Sequence, residues 1–187
     1  TVFQEEFDGY GFDLQRFSDV CTIGEEPASL KSLAVRPQAD VVTTVYKKTC
    51  ALPAGANPTD FDFAFRFRPQ RDANRTFDVL LYFAADPAQP DKGRRTIALT
   101  VAEAGSSVSP SGLPPSPIGR VQITARERLL PPMPDRTWTR VMVKVRGRNL
   151  SLYVERDGAM VREVSAEGWG EPLTGFNFRT RNAIDLD

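Results

Sequence analysis

The stretch Thr137–Val164, TWTRVMVKVRGRNLSLYVERDGAMVREV, constrains this chain more than any other. Val141, Val143 and Val145 alternate with Arg140, Met142, Lys144 and Arg146. Side chains on a strand point to opposite faces with period two, so the run reads as a strand with one apolar face and one largely cationic face. Gly147-Arg148-Asn149 interrupts it, and then Leu150, Leu152 and Val154 alternate with Ser151, Tyr153 and Glu155. Asp157-Gly158 follows, the dipeptide that most readily supplies the positive φ values of a tight hairpin. A third strand over roughly residues 159–164 completes an antiparallel meander. The fold class this predicts is all-β, a two-sheet antiparallel β-sandwich.

A second segment, Asp60–Arg68 (DFDFAFRFR), supports the same architecture. Phe61, Phe63, Phe65 and Phe67 occupy every odd position, and four aromatics on one strand face are accommodated only against an opposing sheet. Asp60, Asp62, Arg66 and Arg68 then share the other face, a polar platform able to meet a charged sugar or simply a solvated surface. Phe77–Phe83 is apolar on both faces, which predicts a central strand. Further strands are expected at residues 2–7, 30–35, 41–47, 94–101, 119–129, 176–180 and 184–187. Phe12, Leu14 and Phe17 look like plugs for one end of the core. Residues 104–117 are rich in proline, serine and glycine, a composition that predicts a surface loop, one that in the sharper reading borders a ligand groove. No helix-period pattern of useful length occurs, and 187 residues suit one sandwich domain spanning 1–187.

Composition excludes several chemistries. Basic and acidic residues balance at 24 each, so a general nucleic-acid binder or an anionic-membrane binder is disfavoured. No apolar run reaches the ~18–20 residues needed to span a bilayer. The chain has no histidine, which removes Ser-His-Asp and Cys-His catalysis and any histidine-based zinc site. Cys21 and Cys50 form a disulfide if the chain is exported and are free thiols if it is cytosolic; sequence leaves both open. Asn74-Arg75-Thr76 and Asn149-Leu150-Ser151 match the glycosylation sequon without deciding the compartment.

Trp138 entering a strand, Val141, Val143 and Val145, a turn at Gly147, then Leu150, Leu152, Tyr153 and Val154, and an Asp157-Gly158 hairpin together resemble the concanavalin A-like superfamily of laminin-G and pentraxin-like jelly rolls. The opening Val2–Gly9 is similar to the first strand of such domains. The resemblance implies a secreted or cell-envelope protein that meets a glycan, and it is specific for fold rather than function, because the superfamily includes lectins, hydrolases, lyases and adhesion modules. It also implies structural calcium between the first and last strands, which Asp8, Asp185 and Asp187 would ligate. The laminarinase-type signature requires two carboxylates on one strand face. Here Ala183 stands where its nucleophile should be, so that mechanism is not expected.

The expected function is a non-catalytic carbohydrate-binding or adhesion module. The alternatives are a polysaccharide lyase or glycoside hydrolase on an extracellular glycan, for which Tyr46, Tyr82, Tyr153, Arg66 and Arg68 are available, and a structural or protein-interaction domain. Stacking on sugar rings needs exposed aromatics, for which Tyr10, Tyr46 and Trp169 are the candidates. Trp138, at the head of the meander, is expected in the core.

Overall fold

Alternation of the kind seen in the meander recurs in most strands of the protein and sets which faces meet. The structure, a computed structural model, describes residues 21–25, 31–35, 43–44, 57–69, 77–102, 105–112, 121–123, 137–180 and 184–186. Its strands are β1 (Cys21–Glu25), β2 (Lys31–Val35), β3 (Thr43–Thr44), β4 (Asp60–Pro69), β5 (Phe77–Phe83), β6 (Arg95–Val101) and β7 (Ser107–Gly112). They continue with β8 (Val121–Ile123), β9 (Thr139–Arg146), β10 (Asn149–Arg156), β11 (Ala159–Glu167), β12 (Leu173–Thr180) and β13 (Ile184–Leu186). No helix occurs among the described residues. The strands form an eight-stranded sheet, ordered β1-β2-β13-β4-β9-β10-β11-β8, and a five-stranded sheet, ordered β3-β12-β5-β6-β7. Every pairing is antiparallel. The protein is an antiparallel β-sandwich.

The core lies between the sheets and uses the positions that period two selects. Val141, Val143 and Val145 of β9, with Leu150, Leu152 and Val154 of β10, are buried, and the intervening residues are partly or fully exposed. They face Val79, Leu81 and Phe83 of β5, Ile97, Leu99 and Val101 of β6, and Phe176 and Phe178 of β12 within one apolar cluster. The phenylalanine row of β4 closes it: Phe65 and Phe67 are buried, while Phe61 and Phe63 pack against the cluster from its margin. Phe63 and Phe176 lie 4.6 Å apart between centroids, and Phe65 meets Phe178 edge-on at 5.0 Å. Each such side chain removed from water contributes roughly 1.5–3 kcal/mol. β5 is the middle strand of its sheet, as its two-sided apolar character predicted.

Residues 104–117 differ from expectation. Rather than a loop throughout, the segment supplies β7, which runs antiparallel to β6 with Pro110 opposite Ile97. β7 is the last strand of its sheet, and an edge is where a proline without an N–H can sit in a ladder. β1 was not expected at all. The strand expected at residues 2–7 and the apolar plugs at 12–17 lie outside the described residues.

A bulge in β11 produces a feature that alternation does not predict. Leu152 pairs with Val164 but Tyr153 pairs with Arg162, so Glu163 is the extra residue and turns inward beside Val164. Its carboxylate meets Arg156, the last inward residue of β10, at 2.6 Å, and both side chains are wholly buried. Ser106 donates from its backbone N–H and its hydroxyl to Glu163 Oε2 at 2.8 and 2.6 Å. Arg156 Nη2 donates to the Ala102 carbonyl at 2.8 Å. The connection between β6 and β7 is thereby tied across the sandwich to the eight-stranded sheet.

Candidate functional site

The residues left on the outer face of the eight-stranded sheet are arranged by the register between β4 and β9. Asp60 stands opposite Arg146, Asp62 opposite Lys144, Ala64 opposite Met142 and Arg66 opposite Arg140. At the Asp60 end acids therefore meet bases. Arg146 Nη2 reaches Asp62 Oδ1 at 2.7 Å, its Nη1 donates to the Phe61 carbonyl at 2.9 Å, and the Gly147 N–H donates to Asp60. That exposed pair contributes about 0.2–1 kcal/mol. At the Arg66 end, base meets base.

Beside Arg66 at this end lies an indole. Trp138 immediately precedes β9, next to buried Thr139, and is half-buried under two guanidinium groups. Arg66 Cζ is 5.7 Å and Arg68 Cζ 5.0 Å from its ring centroid, within the range of cation–π attraction, about 0.5–1 kcal/mol each where exposed. Further across the face, Lys144 Nζ lies 5.8 Å from the ring centroid of Tyr153. Glu155 Oε2 accepts the backbone N–H of Arg140 at 3.0 Å, and Arg140 is exposed. Asp185 of β13 stands opposite Arg68.

The two tryptophans exchange their expected places. Trp169 packs against the core cluster, with its ring edge-on to Phe83 at 6.2 Å and Arg95 Cζ over it at 5.4 Å. Arg95 Nη1 in turn pairs with Glu171 Oε1 at 3.1 Å. Gly168 donates its N–H to the Arg148 carbonyl at 2.6 Å, which holds this loop to the hairpin between β9 and β10. Gly170 has φ +75°, and a Cβ there would meet Arg148 Cγ at 3.0 Å. Trp169 is thus a plug at the margin of the sandwich, while Trp138, expected in the core, faces outward. The signal was present in the sequence: residue 138 has the parity of Arg140, Met142 and Lys144, not of the valines.

Of the remaining candidates, Arg66 and Arg68 are brought together at Trp138. Tyr10, Tyr46, Asp8, Asp187 and Cys50 lie outside the described residues. Cys21 opens β1 opposite Val35. Asp185 stands opposite Arg68 in the strand register, and among the described residues no three His, Cys, Asp or Glu side chains converge as a metal site. Tyr82 is buried under Arg94, whose Cζ is 4.8 Å from the ring centroid, and its hydroxyl is 3.4 Å from Asn177 Nδ2. The outer face thus carries two half-buried aromatic rings, each with a cation over it, among partly and fully exposed polar groups.

No family model and no curated protein matches this chain. Among solved structures it is similar to the carbohydrate binding module CBM66 from Bacillus subtilis, at 11% identity and TM-score 0.48, covering 89% of this chain and 87% of that one. It is similar to a xylan β-1,4-xylosidase from Bacillus halodurans C-125, at 11% identity and TM-score 0.47, covering 97% of this chain but only 37% of the enzyme. A third similar structure is arcelin-5, a lectin-like defence protein from Phaseolus vulgaris, at 9% identity and TM-score 0.40, covering 92% of this chain and 94% of that one. At these identities and scores the likeness says nothing of this chain's ligand.

Proposed function

We propose that the chain is a non-catalytic glycan-binding or adhesion module on a concanavalin A-like sandwich, working outside the cell or in its envelope, and that the glycan docks on the outer face of the eight-stranded sheet. One observation carries this reading: Trp138 lies on the outside of the sandwich, at the edge of a face that also carries Tyr153. An indole outside the core covers the apolar face of a sugar ring, and polar neighbours satisfy its hydroxyls. Three carboxylates of this face are engaged within the protein itself. Asp62 is paired with Arg146, Asp60 accepts from Gly147, and Glu155 accepts from Arg140.

The test is a glycan array followed by calorimetry on the hits. Trp138→Ala is expected to lower affinity about two- to tenfold, the scale of one lost aromatic contact, whereas Trp169→Phe leaves it unchanged. Binding that survives loss of Trp138, or no binding to any glycan, overturns the reading. Release of unsaturated uronates or reducing ends from a bound polymer would place the protein among the enzymes instead. Calcium held by Asp8, Asp185 and Asp187 belongs to the same proposal; its measurement is a melting temperature that rises with added calcium and returns with chelator.

A further inference from the structure

Trp138 and Tyr153 stand on one face of the eight-stranded sheet at a separation set by the β9–β10 register. Tyr153 pairs with Met142, and Trp138 lies four residues before Met142 in the chain. Four residues along a strand and one strand across give a diagonal of roughly 14 Å between the two backbones. Both residues are half-buried, and cations lie over both rings, Arg66 and Arg68 over Trp138 and Lys144 over Tyr153. A ring held in this way has less rotamer freedom left to lose when a ligand arrives. In the register, Arg140 of β9 and Glu155 of β10 fall between the two aromatic positions, joined by the hydrogen bond from the Arg140 N–H to Glu155 Oε2. Arg140 is exposed and Glu155 half-buried. The arginine side chain offers only donors and the ionised carboxylate only acceptors, with lone pairs beyond the one that Arg140 uses.

Resting on the glycan-binding reading, we infer that the ligand is an uncharged linear oligosaccharide long enough to reach from Trp138 to Tyr153. One sugar ring lies against each aromatic side chain, and the hydroxyls of the units between them are shared by Arg140 and Glu155. No single sugar ring covers the diagonal, so full affinity needs several linked units. A hydroxyl both donates and accepts, so neighbouring hydroxyls satisfy Arg140 and Glu155 together. A carboxylate in that place meets the charge of Glu155 and an ammonium meets that of Arg140, and either leaves one of the two groups unserved. Tyr153 therefore sets the length of ligand the face prefers, and Arg140 with Glu155 sets its charge.

Calorimetry on the full chain, with α- and β-linked gluco- and manno-oligosaccharides from the monosaccharide to the hexasaccharide, tests this. Affinity is expected to climb with length in at least one series and to level off once the chain spans both rings. Tyr153→Ala is expected to weaken the hexasaccharide about two- to tenfold and leave the disaccharide unchanged, while Tyr153→Phe keeps the climb. Arg140→Ala is expected to weaken the hexasaccharide about two- to tenfold as well. The best binder is then compared with the same oligosaccharide oxidised at C6 to the uronate. The native chain is expected to prefer the neutral form, and Glu155→Gln, which can still accept from the Arg140 N–H, is expected to narrow that preference. Affinity independent of length, equal losses of disaccharide and hexasaccharide in Tyr153→Ala, or tighter binding of the uronate overturns the inference. Failure of every series, with array hits that still depend on Trp138, sinks this inference and leaves the docking face standing; an array with no hit sinks both.

Discussion

Arg156 and Glu163 show how one residue's placement can escape the pattern that set its neighbours. Arg156 continues the inward parity of Leu150, Leu152 and Val154, so its burial follows from period two once β10 is known. Glu163 does not, because the extra residue in β11 shifts the phase. The pair is fully buried and both carboxylate oxygens are occupied, one by Arg156 and one by Ser106. Removing one partner strands a charge in the core. Glu163→Ala is therefore expected to lower unfolding free energy by about 3–5 kcal/mol, measured by urea denaturation. Replacing both residues by apolar ones, Arg156→Met with Glu163→Leu, is expected to recover much of that loss, because a well-packed apolar pair costs no desolvation. The tryptophans give a second prediction at this scale. Trp169 packs on the core and Trp138 does not, so Trp169→Ala costs more stability, on the order of 2 kcal/mol, than Trp138→Ala. Equal costs in the same denaturation experiment would contradict the placement of both rings.

Among elements, the hairpin joining β10 and β11 was legible because its turn chemistry is local. Asp157 has φ 50° and Gly158 φ 75°, the two positive values of a tight turn whose twist matches its strands. Nothing lies within 4 Å of a Cβ built on Gly158, so Gly158→Ala is expected to cost only the backbone strain, about 1 kcal/mol. β7 was not legible, because proline, serine and glycine read as loop, and only its position at a sheet edge makes a strand of them. Strand position also orders stability. β5, β9 and β10 are flanked on both sides and face the core; native-state hydrogen exchange is expected to be slowest there and fastest in β7. Exchange in β7 as slow as in β5 would contradict the edge assignment.

For the molecule as a whole, the decisive contact is the latest in sequence. β13 enters between β2 and β4, pairing with Leu33–Val35 on one side and with Phe67–Pro69 on the other. It joins the pair β1-β2 to the rest of the eight-stranded sheet. Deleting residues 184–187 would leave two strand edges unpaired, and unpaired edges template association. Light scattering of the truncated chain is expected to show aggregation at temperatures where the full chain stays monodisperse; an unchanged melting temperature and no scattering would contradict this closure. The segregated charge on the outer face is likewise a property of the assembled sheet, since β4 and β9 are separated by some seventy residues of chain.

The sequence by itself determined the class of fold and the faces of its strongest strands, because period two is a local property and the phenylalanine and valine rows have only one way to leave water. It also held the parity that turns Trp138 outward. The tertiary structure alone decided which strands are neighbours, and hence that Arg66 meets Arg140 while Asp62 meets Arg146. It alone supplied the bulge that buries Glu163 and the edge that makes a strand of residues 107–112. Pairing and phase depend on hydrogen bonds between segments distant in the chain, and no alternation within one segment specifies its partner.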